Sequence, residues 1–331
     1  MDLTIPDAAH SFLAAAGWSG AEITPLPGDA SFRRYFRVAR SGGASALLMD
    51  APPPNEDCRP YLRVARWLTD NGLRAPKIHA ADEARGLLLI EDFGATRMRE
   101  HLDARPQDEE AIYSAAVDTL LALHKLPPGP FPAYGMVEYL REVRLFAEWY
   151  CPAQGITVDT ASYDSAWEQV LKPLVARQQS GITVLRDYHA ENIMLLGDVA
   201  DQGLLDFQDA LVGHPAYDLV SLLQDARRDV PVDLESRMLA RYARAVSARS
   251  EFLDDYAILG AQRNAKIVGI FVRLWLRDGK PRYLDYIPRV WDALERDLAR
   301  PALAPVAEWF AANIPAALRR PNTPLGGSFR V

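Results

Sequence analysis

The chain is predicted to fold as an α+β protein in two parts, a small antiparallel β-rich lobe over residues 1–92 and a larger, mainly helical lobe over 93–331. Three observations predict it. Short β-prone runs divided by turn residues fill the first part of the chain. From about Thr96 onward the apolar residues recur at helical spacing. A strand, loop, strand, turn, strand pattern ending at Asp206 then interrupts the helices.

The elements follow in order. Asp7 to Ala16 reads as a short helix, and strand-like runs come at Glu22 to Leu26, Phe32 to Val38 and Ala44 to Met49. Arg59 to Thr69 carries a helix signal closed by Asp70-Asn71-Gly72, where Asn-Gly supplies the stop. Lys77 to Ala80 is a fourth strand, and Gly86 to Ile90 a fifth that leads into Glu91-Asp92-Phe93-Gly94. Glu110 to Lys125 sets Ile112, Ala116, Val117, Leu120 and Leu121 on one stripe, with His124 expected to cap or pack at its end. After Pro127-Pro128-Gly129-Pro130, a helix from Val137 to Tyr150 aligns Tyr139, Val143, Phe146 and Tyr150. Strands are expected at Ile182 to Leu185, Ile193 to Leu196 and Gly203 to Leu205. Beyond Asp206 only helices are indicated, at Ala216 to Asp229, Val232 to Ala248, Phe252 to Arg277, Asp285 to Arg300 and Ala304 to Leu318, before an irregular tail from Pro321.

Hydrophobic residues at 49% and charged residues at 24% are ordinary for a globular chain. A net charge of −7 argues against nucleic acid, whose phosphates call for a basic face. The first residues, Met1 to Asp7, offer no basic n-region and no apolar h-region, and no run approaches a membrane span. A cytoplasmic monomer without a membrane partner is expected. Cys58 and Cys151 lack metal-ligand spacing and read as reduced structural thiols.

The chemistry concentrates in Leu185-Arg186-Asp187-Tyr188-His189-Ala190-Glu191-Asn192, followed by Leu205-Asp206-Phe207-Gln208. Phosphoryl transfer requires positioning and charge neutralisation more than covalent help. Asp187 can accept the proton of an attacking hydroxyl. Asn192 and Asp206 offer the oxygen ligands that Mg²⁺ takes. The order and spacing match the base, amide and metal carboxylate of kinase-like catalytic loops.

On these residues, and on Gly213-His214-Pro215-Ala216-Tyr217-Asp218-Leu219, the chain resembles the aminoglycoside phosphotransferase family of the protein-kinase-like superfamily. The resemblance implies a bilobal kinase-like fold and the use of ATP with Mg²⁺. It also implies that the run ending at Glu91 to Phe93 is a hinge gripping adenine through backbone groups, and that Asp218 braces the catalytic loop. Gly28 to Val38, Met49 to Pro53 and Tyr139 to Glu142 carry a narrower likeness to bacterial anomeric kinases for N-acetylmuramic acid and N-acetylglucosamine, enzymes of cell-wall recycling. That likeness implies an amino-sugar acceptor phosphorylated at its anomeric hydroxyl.

Two departures stand out. Leu185 occupies a position where many relatives have His, which removes a structural contact and leaves the base. No lysine precedes Lys77, so the strand-three lysine that pairs with the α/β-phosphates is missing. An arginine can fork onto phosphate oxygens in its place. Strand alternation sets Arg33 and Arg37 on one face and Arg34 on the other; Arg34 is the favoured substitute and Arg33 the alternative. Ser31 and the amides of its Gly-Asp-Ala-Ser turn would cover phosphate. Glu56 or Asp57 would orient an arginine if not simply exposed.

On the acceptor side, Tyr139, Arg141, Glu142 and Trp149 combine aromatic faces for a pyranose with charges for hydroxyls or a lactyl carboxylate. His189 and Glu191 lie inside the loop beside the base. Other acceptors remain open, namely an aminoglycoside, choline or homoserine, although the tail from Leu318 holds no acidic side chain to line a pocket for a cationic antibiotic. The absent lysine also leaves open a catalytically silent kinase-like nucleotide-binding module.

Overall fold

A computed structural model describes residues 4–27, 32–178 and 181–319. The backbone divides into two compact units, residues 1–119 with 191–210, and residues 120–190 with 211–331.

The first unit begins with helix α1 (Ala9–Ala15) and strands β1 (Glu22–Pro25), β2 (Arg34–Ala39) and β3 (Ser45–Asp50). Helix α2 (Arg59–Asp70) separates these from β4 (Ile78–Asp82) and β5 (Leu87–Glu91). All five strands form one antiparallel sheet in the order β1-β2-β3-β5-β4. Alternation along β2 and β3 turns Phe36, Val38, Ala46 and Leu48 onto Ala9, Phe12 and Leu13 of α1. At the end of α2, Gly72 takes a φ of 79° and the Leu73 N–H reaches back 2.9 Å to the Leu68 carbonyl, as the Asn-Gly stop predicts. Helices α3 (Met98–Ala104) and α4 (Glu109–Leu123) follow, α4 ending inside the second unit.

Chain order then enters the second unit with α5 (Met136–Leu145), a π-turn over Phe146–Tyr150, the short α6 (Cys151–Ala153), α7 (Thr160–Arg177) and strand β6 (Ile182–Val184). Strands β7 (Ile193–Leu195) and β8 (Gln202–Leu204) return to the first unit as an antiparallel hairpin. The Leu195 N–H bonds the Thr96 carbonyl at 2.9 Å and the Leu204 N–H bonds the Arg74 carbonyl at 2.7 Å. These bonds tie the hairpin to segments on both sides of residue 92.

Strand β9 (Leu211–Gly213) pairs with β6, so helices are not the only elements beyond Asp206. It is an edge of three residues, too short for alternation to reveal. The rest is helical: α8 (Ala216–Leu223), α9 (Val232–Ala245), α10 (Phe252–Leu276), α11 (Ile287–Leu298), α12 (Ala304–Asn313) and α13 (Ala316–Arg319). Helix α8 stops short of the expected Asp229 because the chain turns at Asp225, whose buried carboxylate accepts the Arg227 N–H at 2.8 Å. The expected helix from Val137 to Tyr150 instead widens into the π-turn, against which Gly269 of α10 packs so closely that a Cβ there would lie 2.2 Å from the Leu145 carbonyl oxygen. Helix α7, absent from the periodicity reading, begins on an Asp159 cap and tolerates Pro173. The tail from Pro321 lies outside the described residues. No helix among the described residues is long and apolar enough to cross a membrane.

Candidate active site

The expected functional residues divide between the two units. In the first, Asn192 and Asp206 flank the open end of the β7–β8 hairpin, where the Leu205 N–H bonds the Asn192 carbonyl at 2.9 Å. Asp206 adopts a φ of 55°, which Asp tolerates better than most residues, and its side chain is 45% exposed. Phe207 anchors the turn against Tyr61 of α2, with ring centroids 5.0 Å apart. An amide and a carboxylate held at one hairpin end suit a hard cation such as Mg²⁺. No cluster of three or more His, Cys, Asp and Glu among the described residues offers another metal site.

Arg33 stands beside this hairpin end, its Nη2 3.5 Å from Asp206 Oδ1 and its Nε 3.9 Å from Glu56 Oε2. Burial opposes its charge, but Tyr35, Asp206, Glu56 and Asp209 outweigh that and hold it cationic. Arg34 is spent elsewhere: it faces its cross-strand neighbour Asp50, donating at 2.8 and 2.5 Å, and reaches the Thr4 carbonyl at 3.1 Å. Of the two, the alternative Arg33 stands beside Asp206, and the favoured Arg34 is held by Asp50. Arg34 shares the α1 face of β2 with Phe36 and Val38, and Arg33 precedes it with the opposite orientation. Arg37 is bonded to Asp92 at 2.7 Å. Of the two acids before α2, Glu56 approaches Arg33, while Asp57 binds Arg59 at 2.8 Å. Ser31, with residues 28–30, lies outside the described residues.

Glu91 forks onto Arg74 at 2.6 and 2.8 Å, and its own N–H bonds the Lys77 carbonyl at 2.9 Å. Phe93 lies 4.6 Å beneath the Arg74 guanidinium and packs on Gly203. Glu191 is ion-paired to Arg99 of α3. Sequence spacing alone gave no sign of that partner.

In the second unit, Asp187 lies on a loop braced from below. Asp218 of α8 accepts the N–H groups of Leu185 at 2.7 Å and Arg186 at 2.8 Å. Arg186 has a φ of 74°, a conformation that costs roughly 1–3 kcal/mol outside glycine and persists only where the surroundings fix it. Here Asp218 holds its amide and Glu142 its guanidinium. Farther along, Asp225 accepts the Ala190 N–H at 3.2 Å, and Arg227 lies 3.3 Å from His189 Nε2. His214 joins the brace: its Nδ1 accepts the Ala216 N–H at 3.2 Å and its Nε2 faces Asp255 at 3.3 Å.

Burial pushes the Asp187 carboxyl up, yet Lys266, with Arg263 and Arg186, brings it below the ordinary range. Burial raises Asp218 to about 7 despite its two N–H donors, with Asp187 adding to the rise. His189 is pushed down to about 4 by burial and then by Arg227, so it is neutral.

Tyr139 and Glu142 are interior residues rather than groups facing an acceptor. Tyr139 stacks on Tyr134 at 4.2 Å and its hydroxyl donates to Gln178 at 3.1 Å. Glu142 is the buried hub of an ion network that includes Arg186, the Tyr134 hydroxyl and Lys266 at 3.1 Å. Lys266 also donates to the Tyr217 hydroxyl at 2.9 Å. Both residues lie on the inner face of α5; Arg141 is exposed on the same helix, and Trp149 is half-buried on the π-turn. Arg263 and Lys266 were not singled out from sequence. Two cations three apart in a stretch of α10 that is flanked by apolar residues on both sides are the signal that marks them.

The phosphotransferase enzyme family model matches residues 22–257. An N-acetylmuramate/N-acetylglucosamine kinase of Caulobacter vibrioides is 38% identical, the match covering 95% of this chain and 98% of that one. A kinase of the same name from Pseudomonas aeruginosa is also 38% identical, over 90% and 91% of the two chains. Among solved structures, an ADP-bound aminoglycoside phosphotransferase superposes with a TM-score of 0.60 at 13% identity, covering 88% of this chain and 99% of its own, which establishes a shared fold.

Proposed function

The chain belongs to the phosphotransferase enzyme family, and on that premise we propose that it is a kinase of N-acetylmuramate and N-acetylglucosamine, using ATP and Mg²⁺ and acting on the anomeric hydroxyl. The end-to-end likeness to two kinases of these sugars carries the substrate assignment. The family model and the fold alone would leave the acceptor open, since aminoglycoside enzymes share them.

In this reading Asp187 takes the proton of the sugar hydroxyl, its carboxylate kept ionised by the cations around it. Asn192 and Asp206 would hold Mg²⁺, which would neutralise charge on the phosphate oxygens. Arg33, steadied by Glu56, supplies the phosphate contact of the missing strand-three lysine. The backbone of Glu91 to Phe93 receives adenine. Asp218 fixes the loop that presents Asp187, and His189, Arg141 and Trp149 are the acceptor-side candidates. A cation already beside Asp206 weighs against a silent nucleotide-binding module.

An ATP-consumption screen over free N-acetylmuramate, N-acetylglucosamine, choline, homoserine and kanamycin tests the reading. Turnover of the two sugars above all others is expected. Preferential turnover of choline, homoserine or kanamycin would reassign the acceptor, and Mg²⁺-dependent ATP binding without any turnover would favour the silent module.

A further inference from the structure

We propose that Arg263 is a positioning residue for the catalytic base, a buried counter-ion of Asp187. The proposal deepens the reading of Asp187 as the base and rests on it. Arg263 projects from α10, and its side chain is only 3% exposed. Its Nη2 donates to Ser221 Oγ at 2.8 Å and lies 3.9 Å from Asp187 Oδ1. Its Nε and Nη1 are buried and meet no acceptor among the described residues. Ser221 and Asp218 stand three apart on α8, so one guanidinium is set against the helix that braces the loop and against the residue that the loop presents.

Burying a guanidinium costs several kcal/mol unless an anion compensates it. Ser221 supplies a hydroxyl but no charge. The negative charge within reach is the Asp187 carboxylate. A guanidinium 3.9 Å away favours the ionised form of Asp187, the form that can accept the proton of a substrate hydroxyl. The other groups facing Asp187 are already committed: Lys266 to Glu142 and Tyr217, Arg186 to Glu142, and His189 to its neutral form.

The test is the pH dependence of kcat/KM for N-acetylglucosamine in Arg263→Gln and Arg263→Lys. Arg263→Gln should move the acid limb upward by about one pH unit, a roughly 10-fold loss below the limb, with KM for ATP unchanged. Arg263→Lys should restore the limb. A uniform loss at every pH with the limb unmoved would mean that Arg263 merely holds α8 to α10, and wild-type kinetics in Arg263→Gln would dismiss the proposal. If Arg263→Gln does not fold, Arg263→Met, which fills the space without a buried amide dipole, is read in the same way. If the wild-type protein turns over no sugar, the functional reading fails instead. Carbon-13 titration of the Asp187 carboxyl, assigned with Asp187→Asn, then decides the counter-ion role, an unchanged midpoint in Arg263→Gln overturning it.

Discussion

Arg33 and Arg34 are neighbours in sequence, yet one faces the carboxylate of Asp206 and the other is locked to Asp50. Arg33→Ala should therefore lower kcat/KM for ATP by about 2–4 kcal/mol of transition-state stabilisation, the scale of a lost charge contact with phosphate. Arg34→Ala should leave ATP kinetics nearly intact and cost about 1–3 kcal/mol of stability, because it strands the buried Asp50 carboxylate. Steady-state kinetics and urea unfolding of the two variants separate these effects, and a reversed pattern would return the phosphate role to Arg34. Asp187→Asn should reduce kcat by roughly 10²- to 10⁴-fold with little change in nucleotide affinity, since it removes a base and no proposed metal ligand. Near-full activity would remove Asp187 from the mechanism. Asp187, Asn192 and Asp206 can be proposed from the sequence because the three lie in one short stretch of chain. The choice between the arginines cannot be. Strand alternation assigns them to opposite faces but does not say which face meets α1, and that depends on the packing of Phe12 and Leu13.

Helix α5 and the turn that follows it illustrate what periodicity misses. Tyr139, Val143, Phe146 and Tyr150 are all buried as their spacing predicts, but the backbone passes from α-helix to π-turn between Leu145 and Phe146. The cause is tertiary: α10 approaches through Gly269, where a side chain would strike the Leu145 carbonyl and the Phe146 amide. Gly269→Ala is accordingly expected to cost about 1–3 kcal/mol in denaturant unfolding, as overpacking does; an unchanged midpoint would show that the π-turn can relax. The same helix buries Glu142. Burial raises its carboxyl, but Lys266 and Arg186 outweigh that and hold it below its ordinary range. A carboxylate depressed by folding contributes stability above its unfolded value, and that stability is lost as the pH falls through the folded value. Thermal unfolding of the wild type should therefore steepen on the acid side, and Glu142→Gln, though less stable overall, should show a flatter acid dependence. An equally steep curve in the variant would assign the acid sensitivity to other carboxylates. From sequence Glu142 looked like a group for substrate hydroxyls, because a lone acid on an amphipathic helix does not reveal that Lys266, far along the chain, will neutralise it.

At the scale of the whole molecule, the class and the chain order of the five strands were readable, down to the helix between the third and fourth, while the order of the strands within the sheet was not. The grouping of segments was less so, since hydrogen bonds from Leu195 to Thr96 and from Leu204 to Arg74 draw the β7–β8 hairpin into the unit that holds the sheet. Substrate chemistry is the property least written in the fold, because aminoglycoside phosphotransferases share the architecture. What can distinguish an anomeric kinase is the acidity of the hydroxyl it phosphorylates. An anomeric hydroxyl is more acidic than a ring alcohol and asks less of its base, and a carboxylate surrounded by Lys266, Arg263 and Arg186 is a weak base. Asp187 thus suits C1 better than it suits C6. Free N-acetylglucosamine and N-acetylmuramate should be phosphorylated while their 1-O-methyl glycosides are not, and the product should lose its reducing end. Phosphorus–proton NMR coupling should place the phosphate on C1; coupling to the C6 protons, or turnover of the methyl glycosides, would sink the anomeric assignment while leaving the kinase assignment standing.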